Sequence, residues 1–321
     1  MSSLLLGVDG GNTKTVAVVV TAEGDLLGTG RTGCGDIHAA PGPEAAVAEI
    51  VRAVGAALDE ARAGAGDLAA AAFSLAGADW PEDFDYLRRE LRERLGLPED
   101  PEIVNDAVGG LRSGTDDMVG VAVVIGTYSA LAGRNTAGAL FHFGFWPDST
   151  GAHGLGSQAL AAIWRHMLGL GPETTLLGRA LERWGCEDAE ELLHVLTRID
   201  GPEQPEAGRL ADAVLDEAEA GDPVAREIVE TAGRRLGDYA RVCALRTGQG
   251  GPFPLVLCGG VLRHPSPLLR ASIHERIPEA TPIYPEVEPV VGALLLAADS
   301  VGARPDRELL RAASATVIGA S

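Results

Sequence analysis

A glycine turn near the start of the sequence carries several groups that could handle a phosphate. Asp9 to Thr15 reads DGGNTKT and lies between two apolar runs, Leu4 to Val8 and Thr15 to Thr21. The Asp9 carboxylate suits Mg²⁺, which prefers carboxylates and keeps much of its hydration shell. Lys14 offers a cation for a terminal phosphate, and it is the one lysine among 26 lysine and arginine residues. The candidate phosphate-binding residues of this turn are Gly10, Gly11, Asn12, Thr13, Lys14 and Thr15.

Two further glycine turns follow apolar runs later in the chain. Gly126 to Ser129 comes after Val119 to Ile125, and Gly259-Gly260 comes after Pro254 to Leu257. Glycine has no side chain to obstruct an anion, so each turn can present backbone N–H groups to one. A glycine pair taken alone is more typical of an ordinary hairpin or strand-to-helix turn. The first turn is neither a P-loop, whose GxxxxGK[ST] spacing is absent, nor a dinucleotide fingerprint, because a strand follows it.

A polar pair ends another short apolar run. Asn105-Asp106 follows Glu102 to Val104, so we expect it at the end of a strand. A carboxylate aimed into a cleft from this position can accept the proton of an attacking hydroxyl as a general base. The same Asp106 could instead cap a helix over Ala107 to Leu111. The residues alone leave both roles open.

The elements that must position these residues alternate between strands and helices. A three-stranded meander ends with Leu26 to Thr32, and apolar residues at helical spacing follow over Pro43 to Arg62. A buried-type strand over Leu68 to Leu75 and an amphipathic helix over Pro81 to Leu95 continue the alternation. Strand, glycine turn and strand recur from Val119, which indicates a second domain of duplicated topology. The pattern predicts an α/β fold, with helices on the faces of mixed sheets.

Composition and charge exclude several classes of protein. A chain of 321 residues, 46% of them hydrophobic, is long enough for two globular domains. Its net charge of -20 disfavours nucleic acid and anionic membranes as partners. We expect neither a signal peptide nor a membrane span, since no run approaches about 18 apolar residues. The four cysteines form no CxxC pair, which gives no zinc or redox signature and fits a reducing cytoplasm.

Taken in order, these motifs resemble a known family. The series DGGNTKT, NDA, GTYS, CGGV and EPVVGALLLA is similar to the N-acetylglucosamine kinase-like branch, of the BadF/BadG/BcrA/BcrD ATPase type, of the actin-like ATPase and sugar kinase superfamily. The motifs run from residue 9 to residue 298, nearly the whole chain. The resemblance implies two domains of ribonuclease H-like topology with ATP in the cleft between them. It also implies phosphoryl transfer to a sugar hydroxyl.

The resemblance gives roles to individual positions. Asp9 to Thr15 matches the first phosphate motif, Asn105 matches a sugar-binding position, and Asp106 matches the catalytic base. ATP and Mg²⁺ are the implied cofactors, with Asp9 as the metal residue, and a homodimer is the implied assembly. The ATP-binding residues implied in the later turns are Gly126, Thr127, Ser129, Gly259 and Gly260.

The first domain is expected to be discontinuous on the same grounds. It would cover residues 1–116 and be completed by the C-terminal helix at 288–321. The second domain would cover residues 117–287 and contain a helical insertion. The chain reads as mostly helical from Ser157 to about Arg246, and the last helix predicted from the pattern is Val290 to Ser300.

Several sugar-facing positions depart from the family's pattern. Tyr128 stands where the second phosphate motif usually has glycine, and Ser149, after Asp148, replaces a glutamate. Ala76 and Ala130 stand where polar sugar contacts are expected. Their loss should weaken recognition of N-acetylglucosamine, because a site built for its hydroxyl and amide groups would leave some unpaired. The candidate substrate residues are Asp36, Asp79, Asn105, Tyr128 and Asp148.

The carboxylates among these candidates could make the acceptor pocket acidic. Such a pocket favours a cationic amino sugar, although Asp36 and Asp79 are equally typical of residues that cap turns. We expect ATP-dependent phosphorylation of an amino sugar such as N-acetylglucosamine or glucosamine, or of a related sugar. The alternatives are a non-catalytic sugar-binding pseudokinase and an ATPase that needs no sugar.

Overall fold

The computed structural model describes residues 4–144, 150–199 and 206–319, and these form two five-stranded mixed sheets. The first sheet contains β1 (Leu4–Gly10), β2 (Thr15–Thr21), β3 (Leu26–Thr32), β4 (Leu68–Leu75) and β5 (Glu102–Asn105). The second contains β6 (Gly120–Ile125), β7 (Ser129–Arg134), β8 (Leu140–Phe143), β9 (Phe253–Cys258) and β10 (Ala280–Ile283).

The two sheets share one strand order. The first runs β3-β2-β1-β4-β5, and the second runs β8-β7-β6-β9-β10 when read from the matching edge. In each, the first strand is antiparallel to the second and parallel to the fourth. The prediction of two ribonuclease H-like sheets in an α/β fold is therefore confirmed.

Helices connect and cover these strands. The early ones are α1 (Pro43–Ala61), α2 (Pro81–Leu95) and α3 (Asp106–Gly114). The predicted helical stretch of the second half contains α4 (Ala152–Met167), α5 (Leu176–Trp184), α6 (Ala189–Thr197), α7 (Ala211–Ala220) and α8 (Pro223–Thr247). The last ones are α9 (Leu268–Glu275), α10 (Pro289–Ser300) and α11 (Arg307–Gly319).

Alternate residues of the central strands face two separate apolar cores. On one face Leu6 and Val8 pack with α1 residues such as Ile50. On the other face Leu5 packs with α10 residues such as Leu294. A strand buried on both sides reads as a continuous apolar run, which explains the sequence of β1. The helix before the C-terminus thus returns to cover the first sheet.

The crossing of α3 and α10 joins the two sheets. Ala107 and Leu111 of α3 pack against the second sheet, while α10 packs on the first. The helices approach closely at Gly292, where a Cβ atom would overlap the backbone of Gly109. The Arg112 guanidinium spans the same crossing and donates two hydrogen bonds to Asp299, of 2.7 and 3.3 Å. This contact fixes the first sheet relative to the second.

Three elements near the C-terminus were absent from the sequence prediction. The helix predicted over Val290 to Ser300 corresponds to α10, but it is not the last, because α11 follows it. The helix α9 and the strand β10 were also missed. β10 has four residues, includes Pro282 and lies at the sheet edge, so it carries little of the usual strand pattern. Within the described ranges, no helix is both long and apolar enough to cross a membrane.

Candidate active site

All three glycine turns line one cavity of about 1000 Å³. Its walls also include Asp106, after the last strand of the first sheet, and Asp36, after β3. Most of the predicted nucleotide and substrate residues are therefore brought to one place. Those lining the cavity are Asp9, Gly11, Asn12, Thr13, Lys14, Asp36, Asp106, Gly126, Thr127, Tyr128, Ser129, Gly259 and Gly260.

Two residues predicted to bind the nucleotide lie behind the cavity wall. Thr15 is fully buried, and its hydroxyl donates a 2.9 Å hydrogen bond to the backbone carbonyl of Gly33. Gly10 ends β1 and does not line the cavity. Both residues support the turn from within the sheet. The predicted substrate residue Asp148 lies outside the described residues.

The first two glycine turns meet across the cleft. The hydroxyl oxygens of Thr13 and Thr127 are 2.7 Å apart, a hydrogen bond between residues 114 positions apart in sequence. The second turn is held by the start of α4, where the N–H groups of Ala152 and His153 donate to the carbonyls of Gly126 and Thr127, at 2.9 and 3.0 Å. The glycine turn after β1 in the first sheet therefore faces the corresponding turn after β6 in the second sheet.

The third turn needs a glycine for its shape. Gly259 follows β9 and adopts a φ of 103°, which side-chain-bearing residues rarely tolerate. A Cβ atom there would also lie 2.5 Å from the carbonyl oxygen of Ile125. The turn can therefore pack directly against the end of β6 and expose Gly260 to the cavity.

Asn105, and not its neighbour Asp106, caps the helix α3. Asn105 is the N-cap of α3, and its Oδ1 accepts a 3.1 Å hydrogen bond from the Ala107 N–H. The alternative that Asp106 is the cap is therefore wrong. Its Oδ1 is buried and has no hydrogen-bond partner in the described structure. Burial, with the negative charges of Asp9 and Asp79, raises the pKa of Asp106 to about 8.

Asn105 and Asp79 lie beside the cavity rather than in its lining. Asn105 is almost fully buried, and its Nδ2 donates a 3.1 Å hydrogen bond to Asp79 Oδ1. Asp79 does not cap the following helix, since Asp83 accepts the hydrogen bond from the Trp80 N–H at 2.9 Å. Burial, with the charge of Asp36, raises the pKa of Asp79 to about 7.

Asp36 both shapes its own loop and faces the cavity. One carboxylate oxygen accepts a 2.8 Å hydrogen bond from the His38 N–H, and the other accepts one from the Asn12 side chain. The carboxylate therefore links the loop after β3 to the first glycine turn. Ala76 and Ala130 line the same cavity and add no hydrogen-bonding side chain.

Asp9 can contribute a carboxylate to a bound metal. Burial raises its pKa to about 7, while Lys14 lowers it and Glu288 raises it further. Among the described residues, no group of three His, Cys, Asp or Glu side chains is placed to hold a metal. Mg²⁺ commonly takes only one or two protein carboxylates and completes its shell with phosphate and water. A buried carboxylate beside a phosphate-binding turn fits that mode.

Sequence reasoning missed four charged residues of the cavity, Arg31, Asp212, Arg263 and Glu288, and the last two contact each other. Glu288 is 7% exposed, and its Oε2 lies 3.8 Å from Lys14 Nζ. Arg263, from the 3-10 turn Val261–Arg263, donates a hydrogen bond to the same carboxylate. Glu288 lies in the EPVVGALLLA motif but was interpreted only as the residue before the α10 proline. Arg263 follows the third glycine turn by three positions and gave no separate signal.

Paired ribonuclease H-like sheets, with glycine turns meeting over a cleft, define this protein as one with the actin-like ATPase fold. The chain belongs to the BadF/BadG/BcrA/BcrD ATPase family, whose model matches residues 6–297. The family predicted from the motifs is thereby confirmed, and with it the use of ATP.

Individual relatives agree with this assignment. The N-acetyl-D-glucosamine kinase of Dictyostelium discoideum is 27% identical over 314 residues, which cover 92% of this chain and 98% of the relative. A solved structure of a putative N-acetylglucosamine kinase from Chromobacterium violaceum has a TM-score of 0.71 at 23% identity, covering 92% of this chain and 99% of the other. A ROK family glucokinase from Streptomyces griseus, solved with glucose and AMPPNP, has a TM-score of 0.56 at 19% identity, covering 92% and 98%.

Proposed function

We propose that this protein is an ATP-dependent kinase that phosphorylates a hydroxyl of an amino sugar, with Asp106 as the general base. The observation that carries the proposal is the placement of Asp106. Its carboxylate has an unpartnered buried oxygen and lines the cavity on which both phosphate-motif turns converge. The family of ATPases and the sugar kinase named among its relatives support the same reaction class.

The nucleotide would lie along the three turns. The first two turns would surround its phosphates, and the third would lie against the adenosine because Gly259 and Gly260 carry no side chain. Asp9 would hold Mg²⁺ through water. When bound, Mg²⁺ neutralises charge on the phosphates. Phosphoryl transfer needs little covalent chemistry from a protein, so positioning and charge neutralisation supply most of the catalysis.

Asp106 would take the proton of the acceptor. As the acceptor oxygen bonds to the terminal phosphorus, its O–H proton passes to the Asp106 carboxylate, and the bond from that phosphorus to ADP breaks. Only the ionised carboxylate can accept this proton. The burial of Asp106 raises its pKa to about 8, which makes that form basic enough to be effective near neutral pH.

The charge around the acceptor favours an amino sugar with a free amine. Asp36, Asp79 and Asp9 all lie close enough to Asp106, or to one another, to raise a neighbouring pKa. An ammonium group bound next to the carboxylates of this set that line the cavity, Asp9, Asp36 and Asp106, would offset their repulsion, whereas a neutral hydroxyl would not. Ala76 and Ala130 themselves offer an acetamido group no side-chain hydrogen bond.

The decisive experiment measures ADP release from ATP and Mg²⁺ with glucosamine, N-acetylglucosamine, glucose or no sugar. We expect release to require a sugar and to be fastest with glucosamine. Release that is equally fast without sugar would establish the ATPase alternative, and sugar binding without release would establish the pseudokinase. Asp106→Asn should lower sugar-dependent release by about 10²–10⁴-fold and keep nucleotide binding. Asp85→Asn, on the exposed face of α2, is the matched control.

The homodimer implied by the family resemblance remains part of this proposal. Sedimentation at several protein concentrations would give the mass of the assembly, and a single species of 33.2 kDa would contradict it.

A further inference from the structure

Three charged side chains from separate elements meet at one wall of the cavity. Lys14 comes from the first glycine turn, Arg263 from the 3-10 turn after β9, and Glu288 from the residue before α10. Glu288 accepts a hydrogen bond from Arg263 Nη1 and lies 3.8 Å from Lys14 Nζ. All three line the cavity. One buried carboxylate therefore holds two cations, Lys14 from a turn of the first sheet and Arg263 from a turn of the second.

Glu288 holds Arg263 beside the third glycine turn. The Arg263 Nη2 atom lies 3.7 Å from the place where a Cβ atom of Gly260 would stand. Glu288 is itself anchored, since its backbone N–H donates a 2.6 Å hydrogen bond to Ser314 Oγ on α11. The Arg263 side chain is still 51% exposed, which leaves donors free for a ligand.

We propose that Arg263 is a ligand of the β- and γ-phosphates of the nucleotide, and that Glu288 is the positioning residue that holds it there. The inference rests on the use of ATP in the proposed function. The shared carboxylate places Arg263 on the same wall as Lys14, the cation expected at a terminal phosphate. A guanidinium offers several donors in a rigid fork that matches phosphate oxygens. Because Glu288 orders that fork before the ligand arrives, less side-chain freedom is lost on binding.

The test is calorimetric binding of ADP and AMP to the full chain, which needs no sugar and no turnover. We expect Arg263→Ala to weaken ADP binding about tenfold or more, the usual effect of losing a charge-assisted hydrogen bond. AMP binding should change less than threefold, because AMP lacks the β-phosphate. Arg304→Ala, whose side chain is 77% exposed in the segment before α11, should leave both unchanged. Equal losses for ADP and AMP would overturn the role of Arg263.

A double-mutant cycle tests Glu288. We expect Glu288→Gln to weaken ADP binding in the wild-type background and to have less than half that effect, on a logarithmic scale, when Arg263 is already alanine. Additive effects, or tighter ADP binding by Glu288→Gln, would overturn the positioning role. If Glu288→Gln does not fold, the exposed Arg263→Ala variant alone still decides the phosphate contact. A wild-type protein that binds no ADP would overturn the proposed function as well. A wild-type protein that binds ADP, with equal losses for ADP and AMP in Arg263→Ala, would overturn only the role of Arg263.

Discussion

Replacing Asp106 with Asn removes a carboxylate that the fold holds in an unfavourable environment. Its pKa is raised from 3.8 to about 8, first by burial and then by the charges of Asp9 and Asp79. The folded state therefore prefers the neutral acid, while the unfolded chain ionises it near pH 4. Because the folded state binds this proton more tightly than the unfolded chain, the stability of the wild type falls as the pH rises from about 4 to about 8. The Asn variant has no such proton, so it does not lose stability in this way.

The size of the effect follows from the pKa difference. One pKa unit corresponds to about 1.4 kcal/mol, so the change from 3.8 to about 8 sets a ceiling of roughly 6 kcal/mol. Asp9 titrates in the same range, and Asp106 is only half-buried because it lines the cavity, so we expect about half of that ceiling. At about 2–4 °C per kcal/mol, the melting temperature should move by about 5 °C or more.

Thermal melts of Asp106→Asn and wild type at pH 5 and pH 8.5 test this reasoning. The variant should gain about 5 °C relative to the wild type between the two pH values. Its sugar-dependent turnover should fall by about 10²–10⁴-fold, the usual contribution of a general base. Asp85→Asn, which removes an exposed carboxylate, should show neither change. If the melting temperatures of Asp106→Asn and wild type differ by the same amount at both pH values, the assigned cost of burying the Asp106 carboxylate is refuted.

Three further outcomes are expected. Sugar-dependent kcat/KM should rise with pH towards about 8 as Asp106 ionises, and a flat pH profile would contradict its role as base. Lys14→Arg should impair ATP turnover more than exchanges at exposed arginines, because a planar guanidinium cannot replace a compact ammonium; a fully active variant would make the lone lysine incidental. Gly292→Ala should cost about 1–3 kcal/mol of stability in denaturant melts, because its Cβ would overlap Gly109, whereas Gly55→Ala on α1 meets open space and should not destabilise.

The strands and the glycine turns could be predicted from the sequence because their signals are local. The apolar runs of β1 and β2 and the turn Asp9 to Thr15 between them lie within 18 consecutive residues. A strand that ends in a polar pair likewise indicates a carboxylate at a sheet edge, so Asp106 could be predicted as a candidate site residue. The ambiguity at Asp106 could not be resolved locally, because a capping residue and a base occupy the same place in the pattern.

The tertiary structure alone decided how residues far apart in sequence share the cavity. Asn105 caps the helix and donates a hydrogen bond to Asp79, and neither contact gives the buried Oδ1 of Asp106 a partner. Glu288 reaches Lys14 across 274 positions because α10 packs on the first sheet, a placement set by apolar packing rather than by any local propensity. Sequence fixes what each short segment can form, whereas the meeting of such segments depends on long-range packing, which no local pattern encodes.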